Sequence, residues 1–205
     1  GWVSLTSPTR ASFTLAVTPV RRLSIVGHSM GGLVARSACL HGARLAHAWP
    51  SRLDAMVFLG TPHRGAPLER GGHWIDQLLQ VSPYSAPFAR LGMIRSAGIT
   101  DLRYGIIDDA VADARHGGTP PTPPLPPHVR CLAIAATIGK RRGDLKDRLL
   151  GDGLVPLSSA LGRGGRGQAP LLERHAQWVS YGTGHLGLLD RPLVYRRLEA
   201  WLNAR

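Results

Sequence analysis

The chain is poor in cysteine, aromatic residues and lysine, and it has no long apolar run. Its two cysteines, Cys39 and Cys131, lack the spacing of metal ligands and do not resemble a disulfide framework, so we expect buried thiols. No stretch approaches the roughly 20 apolar residues that a membrane-spanning helix needs. The sequence therefore predicts a soluble, globular protein.

The shortage of lysine affects the interpretation of the charge. The formal net charge is +12, but lysine occurs only at positions 140 and 146, and the arginines are scattered along the chain. No stacking-aromatic motif or recognition helix accompanies them, so nucleic-acid binding is not expected, and steeply salt-dependent retention of DNA would revive that alternative. The densest basic clusters, residues 140–142 and 163–166, are interpreted as solvated loops.

The amino end shows no basic segment followed by an apolar one, so no secretory signal is visible. This absence, together with the lack of a membrane span, favours a cytoplasmic location. The chain begins with Gly1 rather than Met, so an upstream segment and export both stay open.

Strands and helices alternate in the predicted order of elements. A length of 205 residues and an apolar content of 43% fit a single domain over residues 1–205. The predicted elements are strands at 23–26, 53–59, 129–138 and 177–181, a crossover helix over 33–48, and a last helix with Asp190 as N-cap and Pro192 in its first turn. This alternation predicts an α/β protein with a mostly parallel sheet.

An insertion interrupts this alternation. Residues 68–98 are amphipathic but broken by proline and glycine, which predicts short helices, and we assign residues 68–115 to a small helical cap. Six prolines within residues 116–128 exclude a helix or a central strand there. That segment is predicted to be an extended connection between cap and core.

A serine stands where the first predicted strand gives way to a helix. The run Leu23-Ser24-Ile25-Val26 is followed at once by Gly27-His28-Ser29-Met30-Gly31-Gly32. This context predicts a nucleophile elbow, with Ser29 in a strained backbone conformation and with Gly27 and Gly31 leaving room for it. The backbone N–H of Met30 is expected to hold an oxyanion, and its side chain could line an acyl pocket. His28 is expected to pack against the sheet as active-site support.

A serine nucleophile needs a histidine base, which a carboxylate orients. Asp152 and His185 each follow a predicted strand, and they occur in the order serine, acid, histidine that is typical of α/β-hydrolases. We therefore predict Ser29, Asp152 and His185 as a catalytic triad. His63 stays open as a rival base or as loop support, and the rival acids are Asp101, Asp108, Asp109, Asp144 and Asp147. No zinc-like cluster or phosphate loop occurs, so no cofactor is expected.

Four segments carry a resemblance to bacterial lipase-like α/β-hydrolases related to the GPI inositol deacylase family. They are the elbow over residues 25–36, Phe58-Leu59-Gly60-Thr61-Pro62-His63-Arg64-Gly65, Gly151-Asp152-Gly153-Leu154-Val155-Pro156 and His185-Leu186-Gly187-Leu188-Leu189. The resemblance implies hydrolysis of a lipid or another hydrophobic acyl ester by Ser29, Asp152 and His185, with peripheral contact to lipid as a further implication.

The chain departs from this family at its amino end. Only 28 residues precede Ser29, where members of the family place several strands and a loop that donates the second oxyanion N–H. The N-terminal strands are thus expected to be lacking, with the serine strand at or near an edge. The alternative to an active esterase is a truncated, catalytically silent fragment that binds acyl ligands or partners through its sheet edge.

Overall fold

The computed structural model describes residues 20–65, 107–108, 122–143, 151–163 and 169–204. The elements of this part are β1 (Leu23–His28), α1 (Met30–Arg44), β2 (Leu53–Leu59), β3 (Arg130–Thr137), α2 (Leu157–Ala160), β4 (Gln177–Tyr181) and α3 (Pro192–Asn203). Short 3₁₀ turns lie at Pro50–Arg52, Arg174–Ala176 and Leu186–Leu188. The predicted cap falls outside the described residues except for Ile107 and Asp108, so its extent stays a prediction.

The four strands form one sheet in the order β1-β2-β3-β4, and each neighbouring pair is parallel. His28 at the end of β1 is in register with Leu59, and Thr137 at the end of β3 is in register with Tyr181. The carboxyl ends of all four strands therefore meet at one edge. The predicted α/β fold with a parallel sheet is confirmed.

The two central strands are apolar because helices and loops cover both faces of the sheet. Met56 and Phe58 of β2 pack in a cluster with residues of α1, whereas Val57 and Leu59 pack on the other face with Val194 of α3. This alternation follows from the two-residue period of a strand. Strand β1, which ends the described sheet order, instead alternates buried and half-buried residues.

The predicted boundaries differ from the structure mainly at helix ends. Strands β2 and β4 have the predicted bounds, but α1 begins at Met30 and ends at Arg44, so the glycines after Ser29 belong to the helix. The prediction of Asp190 as the last N-cap is wrong, because Arg191 occupies that position in extended backbone before Pro192. A proline at the first helical position already has the φ angle that the helix needs.

The two cysteines are free thiols in the structure. Cys39 is buried, and burial raises the pKa of its thiol. Cys131 is half-buried rather than buried as expected, and burial raises the pKa of its thiol to about 12. Both side chains are therefore neutral and weakly reactive near pH 7.

No helix of the described segments is long and apolar enough to cross a membrane.

Candidate active site

Ser29 occupies the turn between β1 and α1. Its φ of 54° and ψ of −130° lie in a region that residues other than glycine rarely adopt. The backbone N–H of Ser29 donates to the carbonyl of Leu59 at 2.8 Å, which ties this turn to the end of β2. The turn is thus sharp and anchored to the neighbouring strand.

The hydroxyl of Ser29 does not cap the helix that follows it. Serine is a favoured N-cap because its oxygen accepts a hydrogen bond from the first helical turn, yet no such bond forms here. The side chain is buried with 3% exposure, and Oγ has no hydrogen-bond partner among the described residues. A buried hydroxyl in this position is available for chemistry rather than for helix stability.

Two glycines allow the backbone to pack closely around this turn. A Cβ on Gly27 would lie 2.6 Å from Cα of Gly32, and a Cβ on Gly32 would overlap Oγ1 of Thr61. At Gly31, a Cβ would meet no described atom within 4 Å. The close approach predicted at Gly31 therefore lies at Gly32, because the contact depends on the neighbouring loop after β2.

The loop after β3 holds the carboxylate of Asp152 in a fixed orientation. One oxygen, Oδ1, accepts the backbone N–H groups of Leu154 at 2.9 Å and Val155 at 2.7 Å. Gly151 makes the turn possible with a φ of +55°, and its carbonyl accepts the N–H of Ile138 at 2.9 Å. The second carboxylate oxygen is left for another partner.

That partner is His185. Its Nδ1 lies 2.7 Å from Oδ2 of Asp152, and its backbone N–H donates to the Asp152 carbonyl at 3.1 Å. The two side chains are only 3% and 0% exposed, so the pair is shielded from water. Nε2 of His185 is also buried, and it has no partner within the described part of the chain. The structure therefore brings Asp152 and His185 together, but it shows no hydrogen bond between Nε2 of His185 and Oγ of Ser29, which is likewise unpartnered among the described residues.

The end of β2 lies between Ser29 and His185. Leu59 accepts the N–H of Ser29, and the next residue, Gly60, lies under the imidazole of His185. A Cβ on Gly60 would come within 3.2 Å of Cε1 and Nδ1 of His185 and within 2.9 Å of Leu188. The turn with Ser29 and the loop with His185 thus contact two consecutive residues, Leu59 and Gly60. Gly60 was not predicted to belong to the site, although Gly60-Thr61-Pro62 directly after a buried strand was a signal for it.

His28 contacts His185, which lies on the loop after β4. Their rings lie 4.7 Å apart between centroids at an angle of 45°, and Nε2 of His28 lies 3.2 Å from the carbonyl oxygen of His185. Burial and the neighbouring His185 lower the pKa of His28 from 6.5 to about 4. His28 is therefore a neutral hydrogen-bond donor near pH 7, and its contact with His185 was not predicted from the sequence.

His63 lies in the core beside Arg36. Its Nδ1 lies 3.3 Å from a guanidinium nitrogen of Arg36, and its ring packs edge-on against Phe58 with centroids 4.6 Å apart. Burial, together with Arg36 and Arg64, holds the pKa of His63 well below its usual range. A second guanidinium nitrogen of Arg36 donates to the carbonyl of Pro123 at 2.8 Å. These contacts correspond to loop support.

Among the rival acids, only Asp108 is described. Its two oxygens each lie 2.6 Å from the guanidinium of Arg44 at the end of α1. Asp101, Asp109, Asp144 and Asp147 fall outside the described residues. Within the described ranges, no group of three or more histidine, cysteine or acidic side chains could hold a metal ion.

A cluster before His185 was not identified from the sequence. The hydroxyl of Thr183 lies 2.8 Å from that of Ser180, and Arg191 donates to Thr183 Oγ1 at 2.7 Å and to the Gly182 carbonyl. The N–H of Thr183 donates to the Thr137 carbonyl at the end of β3. These bonds fix the turn that leads to His185. Arg191 was not predicted from the sequence. Its partners, Gly182 and Thr183, lie eight or nine residues earlier, and no sequence pattern links them to it.

Comparisons with known proteins agree with this architecture. A family model described as a PGAP1-like alpha/beta domain matches residues 13–98, a stretch that includes Ser29 and the Gly60 turn. Among the solved structures, 22 chains match, and one of them is the crystal structure of the Bacillus licheniformis lipase BlEst2 in its mature form. That match has a TM-score of 0.54 and 15% sequence identity, and it covers 95% of this chain and 71% of the lipase chain.

The chain has a lipase-like α/β-hydrolase fold. The prediction of such a fold, with a resemblance to the PGAP1-like family, is confirmed. In the α/β-hydrolase fold, functional side chains lie on the loops at the carboxyl ends of the strands, and Ser29, Asp152 and His185 all lie there. No curated protein sequence matches the chain significantly.

Proposed function

We propose that the chain is a serine hydrolase that cleaves carboxylic esters with an apolar acyl group. The family match and the lipase-like fold support a hydrolase of the esterase or lipase type. The observation that carries the finer proposal is the buried Asp152–His185 pair, which leaves Nε2 of His185 without a described partner. Ser29 is the proposed nucleophile because its uncapped hydroxyl lies at a sharp turn on the same sheet edge.

The proposed reaction proceeds in two steps. Oγ of Ser29 attacks the ester carbonyl while Nε2 of His185 takes the hydroxyl proton, and His185 then gives that proton to the departing alcohol. Water attacks the resulting acyl-enzyme with the same histidine as base, which releases the carboxylic acid and restores Ser29. Asp152 keeps the second proton on Nδ1 and stabilises the imidazolium that forms in each step. The reaction uses no cofactor.

The backbone N–H of Met30 is the proposed oxyanion donor. Met30 is the first residue of α1, and the first N–H groups of a helix have no acceptor within that helix. The helix dipole adds a partial positive charge at the same place. Both effects would stabilise the negative oxygen of a tetrahedral intermediate.

Labelling with a fluorophosphonate probe tests the nucleophile. We expect one probe molecule per chain, on the peptide that contains Ser29, because only a serine with an adjacent base attacks phosphorus readily. Ser51→Ala is the matched control, since Ser51 is exposed and its hydroxyl donates to the Ala48 carbonyl, and this variant should label like the wild type. A folded protein that takes up no probe would support the silent fragment instead.

The same sheet edge exposes apolar and basic side chains beside the site. Ile138, which follows β3, is 39% exposed, and Leu189, four residues after His185, is 60% exposed. Arg141 and Arg142 are exposed in the loop after Ile138. Apolar residues flanked by basic ones favour contact with an anionic lipid surface. We propose that the hydrolase contacts lipid peripherally through the loop over residues 138–142.

Vesicle flotation tests the lipid contact. We expect binding to phosphatidylcholine vesicles only when phosphatidylserine is included, and we expect Arg141→Glu with Arg142→Glu to weaken that binding at least about tenfold, since each basic residue near the surface adds attraction. Arg196→Glu with Arg197→Glu makes the same charge change on exposed residues of α3 and should leave binding nearly unchanged. Equal losses from both pairs would indicate attraction by net charge alone.

A further inference from the structure

His28 links the loop that carries Ser29 to the loop that carries His185. It is the last residue of β1, one peptide bond before Ser29, and it contacts His185 in two ways. Nε2 of His28 lies 3.2 Å from the His185 carbonyl oxygen, and the two rings pack with centroids 4.7 Å apart. A shift of β1 relative to His185 would disturb both contacts.

The polar atoms of His185 show what this link adds. Its N–H and its Nδ1 are both held by Asp152, at 3.1 Å and 2.7 Å. Its carbonyl oxygen accepts from the ring Nε2 of His28, and Nε2 of His185 itself is left without a partner in the described ranges. Asp152 therefore fixes the histidine to its own loop, whereas His28 fixes it to the strand that ends at Ser29.

The protonation of His28 suits this contact. With a pKa of about 4, the ring is neutral at the pH at which an esterase works, so it carries one N–H. The carbonyl of His185 can only accept, which assigns that proton to Nε2. A neutral ring also adds no second positive charge when His185 takes a proton during the reaction.

We propose that His28 is a positioning residue that sets the distance between Ser29 Oγ and His185 Nε2. The inference rests on the proposed serine hydrolase. His28 touches neither substrate nor reacting atom in this role, so its loss slows the chemical step without changing how tightly the ester binds. A misplacement of about 1 Å between reacting groups costs about 100-fold in rate.

Three variants separate the hydrogen bond from the ring contact. His28→Ala removes both, His28→Phe keeps a ring without a donor, and His28→Gln keeps an N–H donor at a similar reach. For hydrolysis of p-nitrophenyl butyrate we expect His28→Ala to lower kcat about 30- to 100-fold with KM within about twofold of wild type. The kcat of His28→Gln should be at least about tenfold higher than that of His28→Ala. The rates of fluorophosphonate labelling should follow the same order as kcat.

His128→Ala is the matched control. Nε2 of His128 also contacts a backbone carbonyl, that of Pro50 at 3.3 Å, but His128 precedes β3 and so lies at the opposite end of the sheet. Its loss should leave kcat within about twofold of wild type. Thermal unfolding of each variant identifies those that fold. If His28→Ala does not fold, the comparison of His28→Gln with His28→Phe still tests the proposal.

The outcomes are distinct. Recovery of kcat by His28→Gln with an unchanged KM supports the proposal. A folded His28→Ala with kcat within threefold of wild type overturns it, and so does a loss confined to KM. A wild-type chain that neither labels at Ser29 nor turns over esters overturns the proposed function and this inference with it, whereas an active wild type with indifferent His28 variants overturns the inference alone.

Discussion

Ser29→Ala should lower kcat for p-nitrophenyl esters roughly 10⁴- to 10⁶-fold while KM stays close to that of the wild type. The alanine variant has no atom that can form the acyl-enzyme, and the remaining groups offer only oxyanion stabilisation to a water attack. Substrate binding depends on other residues, so the loss falls on the chemical step. Initial rates over a range of ester concentrations measure the effect.

The fold should tolerate this substitution. The hydroxyl of Ser29 makes no described hydrogen bond and does not cap α1, so its removal leaves no described partner unsatisfied. The strained φ of 54° is present with either side chain. We expect the melting temperature to stay within a few degrees of the wild type. A folded Ser29→Ala variant with more than a tenth of wild-type turnover would remove Ser29 as the nucleophile.

Asp152→Asn should lower kcat roughly 10³- to 10⁴-fold, the second largest effect. The two N–H groups of Leu154 and Val155 require an acceptor at one end of the side chain, so the amide NH₂ of asparagine would face His185. Nδ1 of His185 would then accept a hydrogen bond, and its proton would move to Nε2. A protonated Nε2 cannot take the proton of Ser29 in the first step.

Asp108→Asn is the control for loss of a buried carboxylate. Asp108 is nearly as buried as Asp152 but bonds Arg44 at 2.6 Å through both oxygens, and it was a rival for the acid role. Its amide variant should be less stable yet keep at least half of the wild-type kcat. Esterase assays and fluorophosphonate labelling on all three proteins measure the difference. Greater loss from Asp108→Asn than from Asp152→Asn would transfer the acid role to Asp108.

Local patterns predicted the bounds of two strands, because a short run of apolar and aromatic residues is a local feature. The mostly apolar run at residues 53–59 has the bounds of β2, and the shorter strand pattern at 177–181 has the bounds of β4, which is mostly half-buried. Helix ends were predicted less well. Asp190 is a good capping residue in isolation, but Arg191 takes the cap position, because Pro192 sets the first helical residue and Arg191 bonds back to the preceding turn.

For the site residues too, local features were predicted and contacts between distant residues were missed. Ser29 was recognised from its neighbours in the sequence, since a turn between strand and helix is a local feature. The roles of Gly32 and Gly60 were missed, because each contact involves a loop that lies far along the chain. The contact between His28 and His185 was also missed, because it joins the end of β1 to the loop after β4 and so depends on the folded sheet.

The sequence by itself determined the alternation of strands and helices, the buried strands and the strand-turn-helix around Ser29, because these depend on periodicity and on residues within one or two turns. The tertiary structure decided which distant side chains meet: Asp152 with His185, His28 with His185, and His63 with Arg36. Strand order and register set those meetings. They arise from packing of the whole core, in which a one-residue shift would reverse the faces of a strand and separate each pair.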